Sequence, residues 1–76
     1  IKIEIGGHTD SRGEKALNKQ ISQERANSVK TALVSLGINE NRLTAVGFGE
    51  DFPIAKDDAN GLSEVNRRVE FNIVGE

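Results

Sequence analysis

The sequence predicts an α+β fold, a two-layer α/β sandwich with one helical layer on a small mixed sheet, and three observations carry that expectation. Ile1, Ile3 and Ile5 alternate with Lys2 and Glu4, the period of a strand with one buried face. Ala26, Val29, Leu33 and Leu36 recur at steps of three, four and three, which places them on one stripe of a helix. Near the end of the chain Val69, Phe71 and Ile73 alternate with Glu70 and Asn72, so a strand returns after a long polar stretch.

Taken in order, residues 1–5 form a strand that meets no breaker until Gly6. The run Gly6-Gly7-His8-Thr9-Asp10 then ends regular structure, and its glycines either take a positive φ or admit a close neighbour. Ala16 and Leu17, with Ile21 four residues on, read as a short first helix, and Ser22 as a second helix start. Gly37 stands where a left-handed residue satisfies the last carbonyls, and Ile38 can fold back over them. After a polar turn at 39–41, residues 42–48 read as a second strand, apolar on both faces and so expected to be better covered than the first. Strand, helix and strand in this order make a crossover between parallel strands. Gly47 and Gly49 are expected to loosen the backbone there. Residues 50–65 have the composition of a surface loop, with a helical turn at 62–66. The last strand, 69–73, comes back without a crossover helix, so it should lie antiparallel beside the first, with the second strand parallel on the other side.

Composition narrows the function. Seventy-six residues make one domain, 1–76, that buries only about 60% of its unfolded surface. A net charge of −2 from ten basic and twelve acidic residues supplies no broad field for nucleic acid. No stretch approaches the roughly 20 apolar residues of a membrane span, so membrane association is expected only through a parent protein. There is no cysteine, and the single histidine cannot complete a zinc site with carboxylates alone. No nucleophile elbow surrounds Ser11 or Ser22, and Gly47-Phe48-Gly49 lacks the third glycine and lysine of a phosphate loop. Catalysis, metal and cofactor are therefore not expected. The chain opens inside a strand and reads as a piece of a longer protein.

The constellation that could carry recognition is Asp10 on the strand-end loop with Asn18, Ser22 and Arg25 on the helical segment. A loop packed over the helix start would bring one anion and one cation to a small volume. Two alternatives stand beside a ligand site. Thr9, Asp10 and Ser11 can merely turn the chain and cap a helix, or Asp10 and Arg25 can form an internal ion pair. Arg67 and Arg68 leave the same choice: one faces that cleft, or both are solvated.

At these residues the chain resembles the OmpA-like C-terminal domain, the OmpA/Pal/MotB family. The match runs through Gly7-His8-Thr9-Asp10, Gly13, Asn18, Ile21-Ser22, Arg25-Ala26, Val29, Leu33, Gly37, Arg42-Leu43, Gly47-Phe48-Gly49-Glu50, Pro53 and Asn66-Arg67-Arg68-Val69-Glu70. The resemblance implies a non-catalytic, noncovalent peptidoglycan-binding domain of the Gram-negative periplasm, associated with the outer membrane through its parent protein. It implies that Asp10 meets the ammonium of the stem-peptide diaminopimelate and Arg25 a carboxylate of the same residue, with Thr9, Asn18, Ile21 and Arg67 lining the pocket. A cell-envelope assembly module that keeps the fold but not the ligand is the alternative. Two departures stand out. The family's Gly-Arg-Ala run aligns here with Leu62-Ser63-Glu64, Gly61 being displaced by one. The family domain also begins with a strand and helix before the segment equivalent to Ile1, so this chain is a β-α-β-(loop/short helix)-β remainder. Its last strand is then expected to present an open edge that invites a homodimer.

Overall fold

The computed structural model describes residues 1–52 and 67–75. Three strands, β1 (Lys2–His8), β2 (Leu43–Gly49) and β3 (Val69–Gly75), form one sheet in the order β2-β1-β3. β1 runs parallel to β2 and antiparallel to β3, the mixed arrangement expected from the two kinds of connection. A single helix, α1 (Lys15–Ser35), joins β1 to β2 and lies over both. A 3-10 turn at Glu40–Arg42, started by Asn39 accepting from the Asn41 N–H at 2.9 Å, leads into β2.

The helix is continuous, so the expected break before Ser22 does not occur. Ser22 lies inside the helix, where its hydroxyl donates back to the Lys19 carbonyl at 2.8 Å and has a second role on the sheet. The helix ends at Gly37, which has φ +103°. The Gly37 N–H reaches the Val34 carbonyl at 3.0 Å and the Ile38 N–H the Leu33 carbonyl at 3.2 Å, the paired bonds that a left-handed glycine permits. Leu36 ends the apolar stripe in water, beyond the sheet.

Among the described residues the core is formed by the buried Ile5, Ala26 and Leu43, with Ile3, Val29, Leu33, Ala45 and Val69 packed around them. β1, not β2, is the better covered strand, because it is central while β2 is an edge. The outer edge of β2 is nevertheless protected. Gln23 on α1 donates to the Ala45 carbonyl at 3.0 Å and accepts from the Gly47 N–H at 2.8 Å, as a residue of a neighbouring strand would.

Close packing explains the glycines. A Cβ on Gly7 would lie 2.1 Å from the Ser22 carbonyl oxygen, and one on Gly47 would lie 2.5 Å from the Gln23 nitrogen. Gly7 does not have a positive φ, so its requirement is the approach of the helix backbone. The same contact corrects the expectation that Gly47 loosens the chain. The N-terminal half of α1 therefore sits directly on the strand ends, while larger side chains separate helix from sheet further down. On β3, Phe71 and Ile73 are 58% and 75% exposed, although their register with Ile5 and Ile3 puts them on the helix side of the sheet. The expected helical turn at 62–66 and the Leu62-Ser63-Glu64 departure lie outside the described residues.

Candidate functional site

The seating of α1 on the strand ends builds a polar pocket floor. The His8 N–H donates to the Arg68 carbonyl at 2.8 Å and the Thr9 N–H to the Gly49 carbonyl at 2.9 Å, so the loop after β1 leaves between the end of β2 and the start of β3. Ser22 holds the other side, its hydroxyl accepting from the Gly49 N–H at 2.9 Å. Asn18, buried in the first turn of α1, donates to the Arg12 carbonyl at 2.9 Å and reaches the Asp10 carbonyl at 3.3 Å and Glu50 Oε1 at 3.4 Å. Its amide has two hydrogens for three acceptors, and the Arg12 contact is the shortest. Thr9, also buried, donates its hydroxyl to the Asp10 carbonyl at 2.9 Å.

Asp10 is only 5% exposed. One carboxylate oxygen accepts from the Arg12 N–H at 3.3 Å, and the other lies 3.3 Å from Arg67 Nε. Asp10 thus turns its loop as well as holding a charge partner, but it does not cap the helix, whose N-cap is Glu14. Of the two consecutive arginines, Arg67 faces this pocket. Arg25 lies on the exposed side of α1, beside a groove of about 500 Å³ that it lines with Ile21, Val29 and Val69. It is seven residues beyond Asn18, roughly 10 Å along the axis. Helical side chains lean toward the N-terminus, which is the end at which Asp10 sits.

Side chains of the opposite parity fall on the face of the sheet opposite α1. His8 is 3% exposed there, and its ring stacks on Phe48 with centroids 5.2 Å apart. Its Nε2 is 3.4 Å from Glu70 Oε2 without the alignment of a hydrogen bond, so both ring nitrogens are buried and unbonded. Arg68 donates to Glu70 Oε1 at 3.0 Å and to the Phe52 carbonyl at 2.9 Å. Burial lowers the His8 pKa, helped by the Arg68 guanidinium and opposed by Glu70 and Glu4. The hydrogen bond from Arg68 holds Glu70 below its usual range.

This depression has a consequence for stability. The unfolded chain takes up a proton near pH 6.5 and the folded one only at lower pH, so the contribution of His8 is complete above about pH 6.5 and is lost as pH falls through the depressed value. The slope is at most about 1.4 kcal/mol per pH unit, one proton's worth. Glu70 adds a loss of the same sign, confined to pH below its ordinary value. Melting temperature is expected to fall between pH 7 and pH 5, and to fall less in His8→Phe. An equal fall in that variant assigns the effect to another group.

Asp10, Thr9, Asn18 and Arg67 are brought together at the strand ends, while Ile21 and Arg25 line the adjoining helix groove. The convergence anticipated between Asp10 and Arg25 takes the form of an Asp10–Arg67 pair, and among the described residues no ion pair joins Asp10 to Arg25. Gln23, Glu50 and the group around His8 on the face opposite α1 were not singled out from the sequence. For the last, the signal was strand parity, which aligns Glu4 with Asn72 across β1 and β3. Among the described residues no three His, Cys, Asp or Glu side chains could hold a metal, and no helix is long and apolar enough to cross a membrane.

A family model for the OmpA family matches residues 1–67. The chain is 46% identical over 71 residues to outer membrane porin F of Pseudomonas fluorescens, an alignment covering 93% of this chain and 22% of that protein. It is 42% identical over 67 residues to the peptidoglycan-associated lipoprotein of Buchnera aphidicola subsp. Baizongia pistaciae, covering 88% and 39% respectively. The crystal structure of the peptidoglycan-associated lipoprotein from Burkholderia pseudomallei superposes with a TM-score of 0.80 at 35% identity, over 92% of this chain and 59% of that one. The chain therefore spans less than half the length of either curated relative.

Proposed function

The chain belongs to the OmpA family, and on that premise we propose that it is a non-catalytic peptidoglycan-binding domain that recognises the diaminopimelate of the stem peptide. Through its parent protein it tethers the outer membrane, or a complex of the envelope, to the cell wall from the periplasmic side. Relatives named as an outer membrane porin and as a peptidoglycan-associated lipoprotein support the location and the polymer. The single observation that favours a site at the strand ends is the buried Asp10: its carboxylate meets Arg67 and the Arg12 N–H, its backbone carbonyl accepts from Thr9 and Asn18, and its loop is pinned to both neighbouring strands.

The recognition chemistry follows from the ligand. The free end of diaminopimelate is a zwitterion, so it needs an acceptor and a donor fork at a set separation. Asp10 is the acceptor for the ammonium. Arg25 supplies planar, charge-assisted hydrogen bonds to the carboxylate. Ile21 gives the apolar wall between them, and Arg67, 3.3 Å from Asp10 Oδ2, orients the carboxylate. Sedimentation of the chain with purified diaminopimelate-type sacculi tests this directly. The wild-type chain is expected in the pellet, and Asp10→Ala and Arg25→Ala in the supernatant; a wild-type chain left in solution overturns the reading.

One observation favours a second reading, an assembly module of the envelope: Phe71, Ile73 and Val74 of β3 are all exposed. Among the described residues no strand pairs with the outer edge of β3, and a strand edge flanked by apolar side chains pairs readily with another edge. A second copy of this chain, paired edge to edge along β3, is the expected partner. Sedimentation velocity should show a concentration-dependent dimer that Phe71→Lys with Ile73→Lys disperses. A monomer throughout the concentration range removes this reading.

A further inference from the structure

The face of the sheet opposite α1 carries a groove of about 490 Å³ that the site described above does not use. Glu4 and His8 from β1, Glu70 and Asn72 from β3, and Phe48 and Phe52 line it among the described residues. Its size is that of a pocket for a molecule of a few rings. Two features mark it as more than a solvated sheet face. His8 is almost wholly buried at its inner end with both ring nitrogens unbonded, and such orphaned groups are uncommon enough to require a partner. Phe52 stands 58% exposed at the rim, its ring edge-on to Phe48 at 5.3 Å.

The charge pattern selects the ligand class. An anion would meet Glu4, Asp51 and Glu70, and a cation would meet the Arg68 guanidinium. An uncharged ligand with many hydroxyl and amide groups meets neither obstacle. Carboxylates accept from its hydroxyls, the Asn72 amide both donates and accepts, and the exposed Phe52 ring offers an apolar face for a ring to cover. We propose that this groove binds amide-bearing sugar rings, the glycan strand of the polymer whose peptide is held at Asp10.

Position supports the pairing of the two sites. His8 and Asp10 are two residues apart at one strand end, and consecutive arginines serve the two compartments, Arg67 reaching Asp10 and Arg68 reaching Glu70. A polymer with uncharged sugars and charged stem peptides can occupy both sides of this strand end. The inference rests on the peptidoglycan reading for the source of the sugar, while the chemistry of the groove stands by itself.

The test is a titration of the isotope-labelled chain, followed residue by residue in amide NMR spectra, with tri-N-acetylglucosamine, which has sugar rings and no peptide. A parallel titration uses a free diaminopimelate peptide, and a third uses free lysine. The sugar is expected to shift the amides of Phe48, Phe52, Glu70 and Asn72 and to leave Asn18 and Ile21 in place, and Phe52→Ala is expected to weaken it by about tenfold. Because Phe52 is exposed, that variant keeps the fold, and Glu4→Gln provides a second, milder loss. The proposal is overturned if saturating sugar shifts nothing in the groove, if Phe52→Ala binds it equally, or if lysine shifts the groove and the sugar does not. Peptide binding without sugar binding refutes this inference alone. Sugar binding without peptide binding upholds it and refutes the diaminopimelate reading.

Discussion

A chain carrying Gly7→Val is expected to be unfolded at room temperature, the largest effect of any single substitution considered. The ideal Cβ position at residue 7 is 2.1 Å from the Ser22 carbonyl oxygen and 2.9 Å from its carbon. Both atoms are helix backbone, so no side-chain rotation relieves the clash, and α1 must lift off β1. Lifting it separates Ser22 from Gly49 and opens the contact around Ala26 and Ile5. Forcing atoms into a packed site usually costs about 1–3 kcal/mol, more when backbone has to move. A domain of this size has a net stability of only about 5 kcal/mol. Gly7→Ala tests the same contact more gently and should lower the melting temperature by at least about 10 °C. Circular dichroism melting checks both. A Gly7→Val chain that melts cooperatively near the wild-type temperature would mean that the helix can shift at little cost.

Asp10→Ala and Arg25→Ala are each expected to abolish measurable binding of diaminopimelate peptides, for different reasons. The first leaves the ligand ammonium unpaired and also removes the contact that Arg67 makes with Asp10 at 3.3 Å. The second leaves the ligand carboxylate without its fork, and because Arg25 is exposed and makes no ion pair among the described residues, the fold should not change. Removing one member of a desolvated charge pair costs about 2–5 kcal/mol. Lysine-type stem peptides keep the ammonium and lack the second carboxylate, so they should bind more weakly by a similar factor. Calorimetry with matched peptides on the wild type and both variants measures this. Equal affinity for the two peptides, or undiminished binding by Arg25→Ala, would remove Arg25 from the site, and undiminished binding by Asp10→Ala would return Asp10 to a purely internal role in its pair with Arg67.

The sequence by itself indicated the strands, the helical stripe and their order, but not that α1 runs unbroken through Ser22 or that β1 continues through Gly6 and Gly7 to His8. Alternating isoleucines, a helical stripe ending at Gly37 and an alternating last strand after a polar stretch are local signals, readable because each depends on the geometry of a few neighbouring residues. The mixed sheet followed from connection type, a helix demanding a parallel partner for β1 and a long loop allowing an antiparallel one. The gathering of polar residues at the end of the first strand was legible too, although the same run also suits a turn, which Asp10 does make through the Arg12 N–H.

Tertiary structure decided what depended on distance between segments remote in the chain. That Gly7 and Gly47 are required by the Ser22 and Gln23 backbone, and not by a turn, is visible only once helix and sheet are in contact. That Asp10 pairs with Arg67 follows from the antiparallel register of β3 on β1, which sets Val69 opposite Gly7 and so brings residue 67 past the strand end to the loop. Register is cooperative over a whole strand pair, and a shift of one residue would send Arg68 to Asp10 and the other parity of β3 to the helix side. The groove around His8 has the same origin. Its lining comes from all three strands, and its acceptors and rings become one surface only when the sheet closes in the order β2-β1-β3.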